Sequence, residues 1–186
     1  GDYIYFTTTL DHSSYIYRID ANGTIESIIG DEGSVDCFSV HNGKLMFIGL
    51  RDQKLQEVYD ENEVCLTSFN TSVLEGKYVA EPEEIEFEND GVTFTGWVIK
   101  PFGYKEGTKY PAIFDIHGGP KTVYGTVFMH EMQYWANHGY FVFWTNPRGA
   151  DGRGNEFADI RGKYGTIDYS DLMKFTDVVL EKYPDI

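Results

Sequence analysis

Apolar and polar residues alternate through the first seventy positions, in short runs separated by turn-forming residues. The runs are 3–9, 15–20, 24–29, 35–40, 44–50, 55–60 and 63–69, and a period of two puts every second side chain on one face of a strand. The pattern predicts an antiparallel, all-β segment. Asn22-Gly23 and Asn42-Gly43 mark hairpins, because both residue types tolerate the positive φ that tight turns demand. Sliding the segment against itself by about 40 residues lays Phe6 on Phe47 and residues 15–23 on 55–63, the period of a four-stranded propeller blade. Residues 35–69 then form one whole blade, and 3–29 the last three strands of the blade before it. An ordinary β-meander fits the repeat equally well.

Residues 70–84 lose the periodicity and contain Gly76 and Pro82. A connector over 73–84 is therefore expected to divide residues 1–72 from 85–186. Beyond it, 85–88 and 94–99 predict a strand pair joined at Asn89-Asp90-Gly91. The runs 112–116 and 140–145 are denser in apolar residues, as strands covered on both faces by helices are. Between them, 127–138 predicts a helix burying Phe128, Met132, Trp135 and Ala136 and closed by Gly139. After a glycine-rich loop, 146–154, a last helix is expected over 168–183. Its stripe is Leu172, Phe175, Thr176, Val179, Leu180 and Tyr183, with Asp168 as N-cap and Pro184 as stop. Strand, helix, strand, helix predicts a doubly wound α/β sheet that these residues leave incomplete.

Composition narrows the partners. The chain is 41% apolar and 16% aromatic, ample for a globular core, and its 15 basic against 30 acidic residues give a formal charge of -15. That charge repels phosphate backbones and anionic headgroups, so neither nucleic acid nor a membrane surface is an expected partner. No apolar run approaches the roughly 18 residues that a spanning helix needs. Gly1-Asp2-Tyr3-Ile4 carries neither an initiator Met nor a signal-peptide pattern, and the true N-terminus is expected upstream. Cys37 and Cys65 both fall in predicted strands, which suits small buried groups in a reducing, cytoplasmic setting. No His or Cys cluster has zinc-ligand spacing, and Gly149-x-x-Gly152-x-Gly154 lacks the dinucleotide spacing, so no metal or cofactor is expected.

The chemistry is concentrated where Pro-Ala-Ile-Phe-Asp-Ile, 111–116, runs into His117-Gly118-Gly119-Pro120. A diglycine after a buried strand lets the backbone turn and aim an N–H at a developing alkoxide, which is how an α/β-hydrolase builds half of its oxyanion hole. None of the eight serines stands in Gly-x-Ser-x-Gly. His12, His41, His130 and His138 are read as surface or structural residues, and Asp168 and Asp171 as serving a helix cap and dipole. Arg148 lies in the loop above the strand ends, where α/β sheets place their sites. It either lines a substrate cavity or pairs with an acidic neighbour such as Asp151.

The blade-like repeat, the connector, the strand pair, His117-Gly118-Gly119-Pro120, Asn146-Pro147-Arg148-Gly149 and Gly165-Thr-Ile-Asp-Tyr-Ser-Asp171 occur here in the order seen in one family. The chain resembles the prolyl oligopeptidase family of serine peptidases, especially its acylaminoacyl-peptidase branch. The family pattern Ser-x-Gly-Tyr-Gly is replaced by Ala150-Asp-Gly-Arg-Gly154.

The resemblance implies an N-terminal propeller that admits short peptides to a C-terminal α/β-hydrolase domain, and hydrolysis of short or N-acylated peptides through an acyl-enzyme. It implies that Gly119 supplies an N–H to the oxyanion, that Gly118 gives the loop room, that Pro120 stiffens its exit and that His117 orients it by hydrogen bonding. It places the Ser-Asp-His triad in further polypeptide, leaving these residues inactive alone. Strand 112–116 would then present an apolar edge to another copy or to the remaining chain. A carboxylesterase of the same fold, or a non-catalytic β-rich binding module with a degenerate hydrolase domain, are the alternatives.

Overall fold

In a computed structural model of the chain, residues 2–30, 33–119 and 121–186 are described. Two compact units emerge: Gly1–Lys77 with Gly125–Phe128, and Tyr78–Tyr124 with Met129–Ile186. The division after Lys77 falls inside the stretch 73–84 expected as a connector, whose start is overlapped by a one-turn helix, α1 (Thr71–Leu74). The return of residues 125–128 to the first unit departs from the expected continuous segment 85–186. Its cause is close contact: a Cβ on Gly125 would lie 2.3 Å from the His12 carbonyl oxygen, and the Gln53 amide donates to the Thr126 carbonyl.

The first unit is two antiparallel three-stranded sheets: β1 (Tyr3–Leu10), β2 (Ser13–Asp20) and β3 (Ile25–Ile29), then β4 (Ser34–His41), β5 (Lys44–Leu50) and β6 (Glu57–Asp60). Asn42 and Gly43 take φ of 50° and 77° and pair His41 with Lys44, the tight turn expected of that dipeptide. Asn22-Gly23 behaves differently, because the Asp20 carboxylate accepts the N–H groups of Asn22 and Thr24 at 2.8 Å each and only Gly23 is left-handed. Forty residues on, Asp60 accepts Asn62 and Val64 N–H at 2.9 Å in the same way, with Glu63 at φ 59° in place of the glycine. The sequence repeat is therefore a repeat of turn geometry. Ile16, Ile29, Val35, Leu45, Phe47 and Tyr59 from both sheets form one core.

Residues 63–69, expected as a strand, contribute only a bridge from Cys65 to Tyr59. The Glu57 carboxylate draws this segment off the ladder by accepting the N–H groups of Phe69 at 3.0 Å and Asn70 at 2.7 Å, and the Thr67 hydroxyl. The cysteines also differ from expectation. Cys37 and Cys65 are free and exposed, since Cys37 points to the open face of β4 and Cys65 lies past the ladder.

The second unit is one sheet in the order β7 (Glu83–Asn89), β8 (Val92–Ile99), β10 (Phe141–Thr145), β9 (Ala112–Phe114). Pairing is antiparallel except between β10 and β9, which run parallel through the crossover helix α2 (His130–Asn137). Asp90 and Gly91, at φ 50° and 74°, close the β7–β8 hairpin. All five β10 side chains are buried. Phe141 and Phe143 face Phe175 and Val179 of α4 (Ile167–Lys182), while Val142 and Trp144 face Met132 and Ala136 of α2. β9 lies at the sheet edge and ends at Phe114, two residues short of expectation.

The helices shift too. α2 begins at His130 because residues 125–128 belong to the first unit, and its Trp135 is only half-buried. α4 begins at Ile167, so Asp168 sits in the first turn and does not cap it. Leu180 is exposed, and Asp171 takes a buried place on the inner face. A short helix, α3 (Gly154–Ala158), starts where only loop was expected.

Phe175 packs its ring tip where β8 lacks a side chain: a Cβ on Gly96 would lie 2.3 Å from that ring, itself wedged among Phe87, Phe114 and Phe143. Gly96→Ala is expected to destabilise the protein by about 1–3 kcal/mol through overpacking, read from urea unfolding.

Candidate active site

The carboxyl ends of the parallel strands β9 and β10 open into the two loops singled out by sequence, as sites in α/β sheets do. From β9 the chain passes through Asp115 and Ile116 to His117, Gly118 and Gly119. Both glycines are exposed, and among the described residues neither N–H is hydrogen-bonded. Only Gly119 needs to be glycine. Its φ is 150° and a Cβ would stand 3.0–3.1 Å from Thr122, whereas a Cβ on Gly118 would meet open space. Pro120 lies outside the described residues.

His117 holds its place by packing more than by hydrogen bonding. Its Nδ1 is a long 3.4 Å from the Gly118 carbonyl, and its ring meets Tyr124 edge-on at 5.1 Å. Nε2 is buried without a partner. Burial pushes the imidazole pKa below its usual value, outweighing Gly118, Asn146 and Asp115, which favours the neutral ring. Beside it, burial raises the Asp115 carboxyl, Glu131 adds to the effect, and the Tyr124 hydroxyl opposes it.

Behind the glycines runs 121–124, tied to the loop after β10. Asn146 accepts the Tyr124 N–H at 2.8 Å and donates to the Tyr124 carbonyl at 2.7 Å. The Asp151 N–H donates to the Thr122 carbonyl at 3.1 Å, and Lys121 approaches the Asp151 carboxylate at 3.8 Å. Asn146 was visible in sequence only as part of a motif, and its role rests on a contact across 22 positions.

Arg148 pairs, but not with Asp151. Its backbone N–H and Nε donate to one Asp171 oxygen at 3.0 and 2.9 Å, and Nη2 donates to the other at 2.7 Å. Nη2 also reaches Asp90 at 2.7 Å, and Asn89 donates to Asp171 at 2.8 Å. Asp171 is fully buried, which replaces its expected service to a helix end by that of an internal counter-ion. The pairing raises the guanidinium pKa further. Arg148 also lines an open cleft of about 450 Å³ with Val92, Arg153, Phe157 and Ile167. Among the described residues its polar contacts do not include the His117–Gly119 loop. No three His, Cys, Asp or Glu side chains among them cluster as metal ligands, and no helix is long and apolar enough to cross a membrane.

Comparison with known proteins adds to this geometry. Residues 126–186 match the sequence profile of the prolyl oligopeptidase family. The chain is 34% identical over 190 residues to the uncharacterized peptidase YuxL of Bacillus subtilis, an alignment covering 98% of this chain and 29% of that protein. It is 34% identical over 111 residues to dipeptidyl-peptidase 5 of Aspergillus fumigatus, covering 58% of this chain and 15% of that protein. Among solved structures, an acylaminoacyl peptidase in complex with Z-Gly-Gly-Phe-chloromethyl ketone superposes with a TM-score of 0.90 at 30% identity, over 100% of this chain and 30% of that one. Pyrococcus horikoshii acylaminoacyl peptidase gives 0.90 at 30% identity, over 98% and 30%. The chain thus spans about 30% of the length of these structural relatives.

Two outcomes follow from the electrostatics. Asp171→Asn leaves the part-buried Arg148 guanidinium with only the exposed Asp90 as a carboxylate partner and is expected to cost about 2–4 kcal/mol in urea unfolding, against under about 1 kcal/mol for Asp90→Asn. His117 has a folded pKa below its ordinary 6.5, so its contribution to stability is full above that pH and is lost as pH falls below it. His117→Gln is expected to flatten the fall in thermal midpoint between pH 7.5 and 5.5, and an unchanged fall would refute the assignment.

Proposed function

We propose, from the membership of residues 126–186 in the prolyl oligopeptidase family, that the chain is part of a serine peptidase acting on short or N-acylated peptides. The observation that carries the reading is the exposed diglycine at the carboxyl end of β9, with Gly119 in a conformation reserved for glycine. In the reaction, a serine oxygen adds to the scissile carbonyl carbon and the carbonyl electron pair moves onto oxygen. The Gly119 N–H donates to that alkoxide, and a second donor comes from the residue after the nucleophile. The base takes the serine proton and delivers it to the amine nitrogen as the intermediate collapses and the C–N bond breaks. It then takes a proton from water, which adds to the acyl-enzyme, and returns it to the serine oxygen as the acid leaves. The nucleophile, its acid and its base are supplied by polypeptide outside these 186 residues, none of whose serines stands in Gly-x-Ser-x-Gly.

N-acylated peptides are favoured as substrates by the likeness to acylaminoacyl peptidases at 30% identity. We read β1–β6 as propeller blades, supported by the Asp20 and Asp60 turns forty residues apart. Two free, exposed thiols suit a reducing, cytoplasmic setting.

A serine-directed fluorophosphonate probe is expected to label the complete polypeptide and leave the 186 residues alone unlabelled. N-acyl peptides are expected to turn over faster than short-chain esters. Turnover of esters without peptides would replace this reading by an esterase, and labelling of the 186 residues would refute the placement of the nucleophile.

A further inference from the structure

The geometry points to Asn146 as a positioning residue that holds the His117–Gly119 loop in shape through residues 122 and 124. The inference rests on the peptidase reading above for its catalytic consequence, but not for its structural one. Asn146 is the first residue beyond β10, on a strand with no exposed side chain, so its backbone position is fixed by the core. Its amide oxygen accepts the Tyr124 N–H at 2.8 Å and its amide nitrogen donates to the Tyr124 C=O at 2.7 Å, and the same amide also engages the His117 side chain directly.

The clasped segment then meets the loop at three points. The Tyr124 ring stands edge-on to His117 at 5.1 Å, and its hydroxyl engages Asp115 where the loop begins. Thr122, two residues before Tyr124, supplies the three atoms nearest the missing Cβ of Gly119, at 3.0–3.1 Å. The wall against which Gly119 turns is therefore anchored from β10, with the Asp151 N–H to Thr122 carbonyl bond as a second tie. Asp at 146 would keep the acceptor for the Tyr124 N–H but set a carboxylate against the Tyr124 carbonyl. Ala would leave both backbone groups unpaired.

The test compares Asn146→Ala and Asn146→Asp with the unaltered protein in the complete polypeptide, with thermal midpoints recorded beside activity. Displacing an oxyanion donor by about 1 Å costs on the order of 10²-fold in rate, so kcat is expected to fall by about that factor in Asn146→Ala. Affinity for a peptide boronic acid should fall in parallel, while KM and the inhibition constant of the cleaved acyl-peptide product stay within about twofold. Nitrogen-15 NMR is expected to show the Gly119 amide moved in both variants and the Gly96 amide unmoved. Unchanged kcat, or equal losses of boronate and product affinity, would overturn the inference. So would an unmoved Gly119 resonance, which is read whether or not the protein turns over. A complete polypeptide that neither cleaves peptides nor binds the boronate sinks the peptidase reading instead, and the Gly119 resonance still decides the positioning.

Discussion

Strand β10 has no face to give to water. Its five residues must be covered on both sides, and at about 1.5–3 kcal/mol for each large apolar side chain removed from water the covering is strongly driven. α4 supplies one cover through Phe175 and Val179, and α2 supplies the other through Met132 and Ala136. Helices on both faces require crossover connections, which make β9 and β10 parallel and bring their carboxyl ends to the same end of the sheet. The loops after β9 and β10, to which the proposed chemistry is assigned, are neighbours for that reason.

Polar contacts then convert adjacency into a defined shape. One is the Asp171 carboxylate, buried inside the apolar face of α4 and satisfied by Arg148 and Asn89. It joins the β10 loop, the helix and the β7–β8 hairpin, and its cost of burial is met by four donor groups of two residues, Arg148 and Asn89, at 2.7–3.0 Å. Asn146 works on the other side of the loop, where a neutral amide suffices because each of its faces finds one backbone group. Gln133 clasps Ala80 in the same manner, with both bonds at 2.8 Å. Arg148 thus anchors the frame, and among the described residues the Gly118 and Gly119 N–H groups are left unengaged.

The sequence by itself determined the elements that local chemistry dictates. Period-two alternation located β1 to β6 within a residue or two, Asn42-Gly43 and Asp90-Gly91 set hairpins through left-handed backbone, and of the two dense runs one marked a strand buried on both faces, β10, while the other became the half-buried edge strand β9. Of the diglycine that the sequence displayed, only Gly119 proves to be required by its backbone, with a positive φ close against Thr122. Tertiary structure alone decided the partners of buried polar groups. Asp171 looked like a helix-end carboxylate, and Asp151 like the partner of Arg148, until the fold brought residues 23 positions apart together. Glu57 drew 67–70 away from a strand that alternation had promised, and contacts with His12 and Gln53 took 125–128 out of a helix. Propensity and periodicity act over a turn or a pleat, whereas a buried carboxylate or amide must find its donors wherever the chain returns, and no local pattern records where that is.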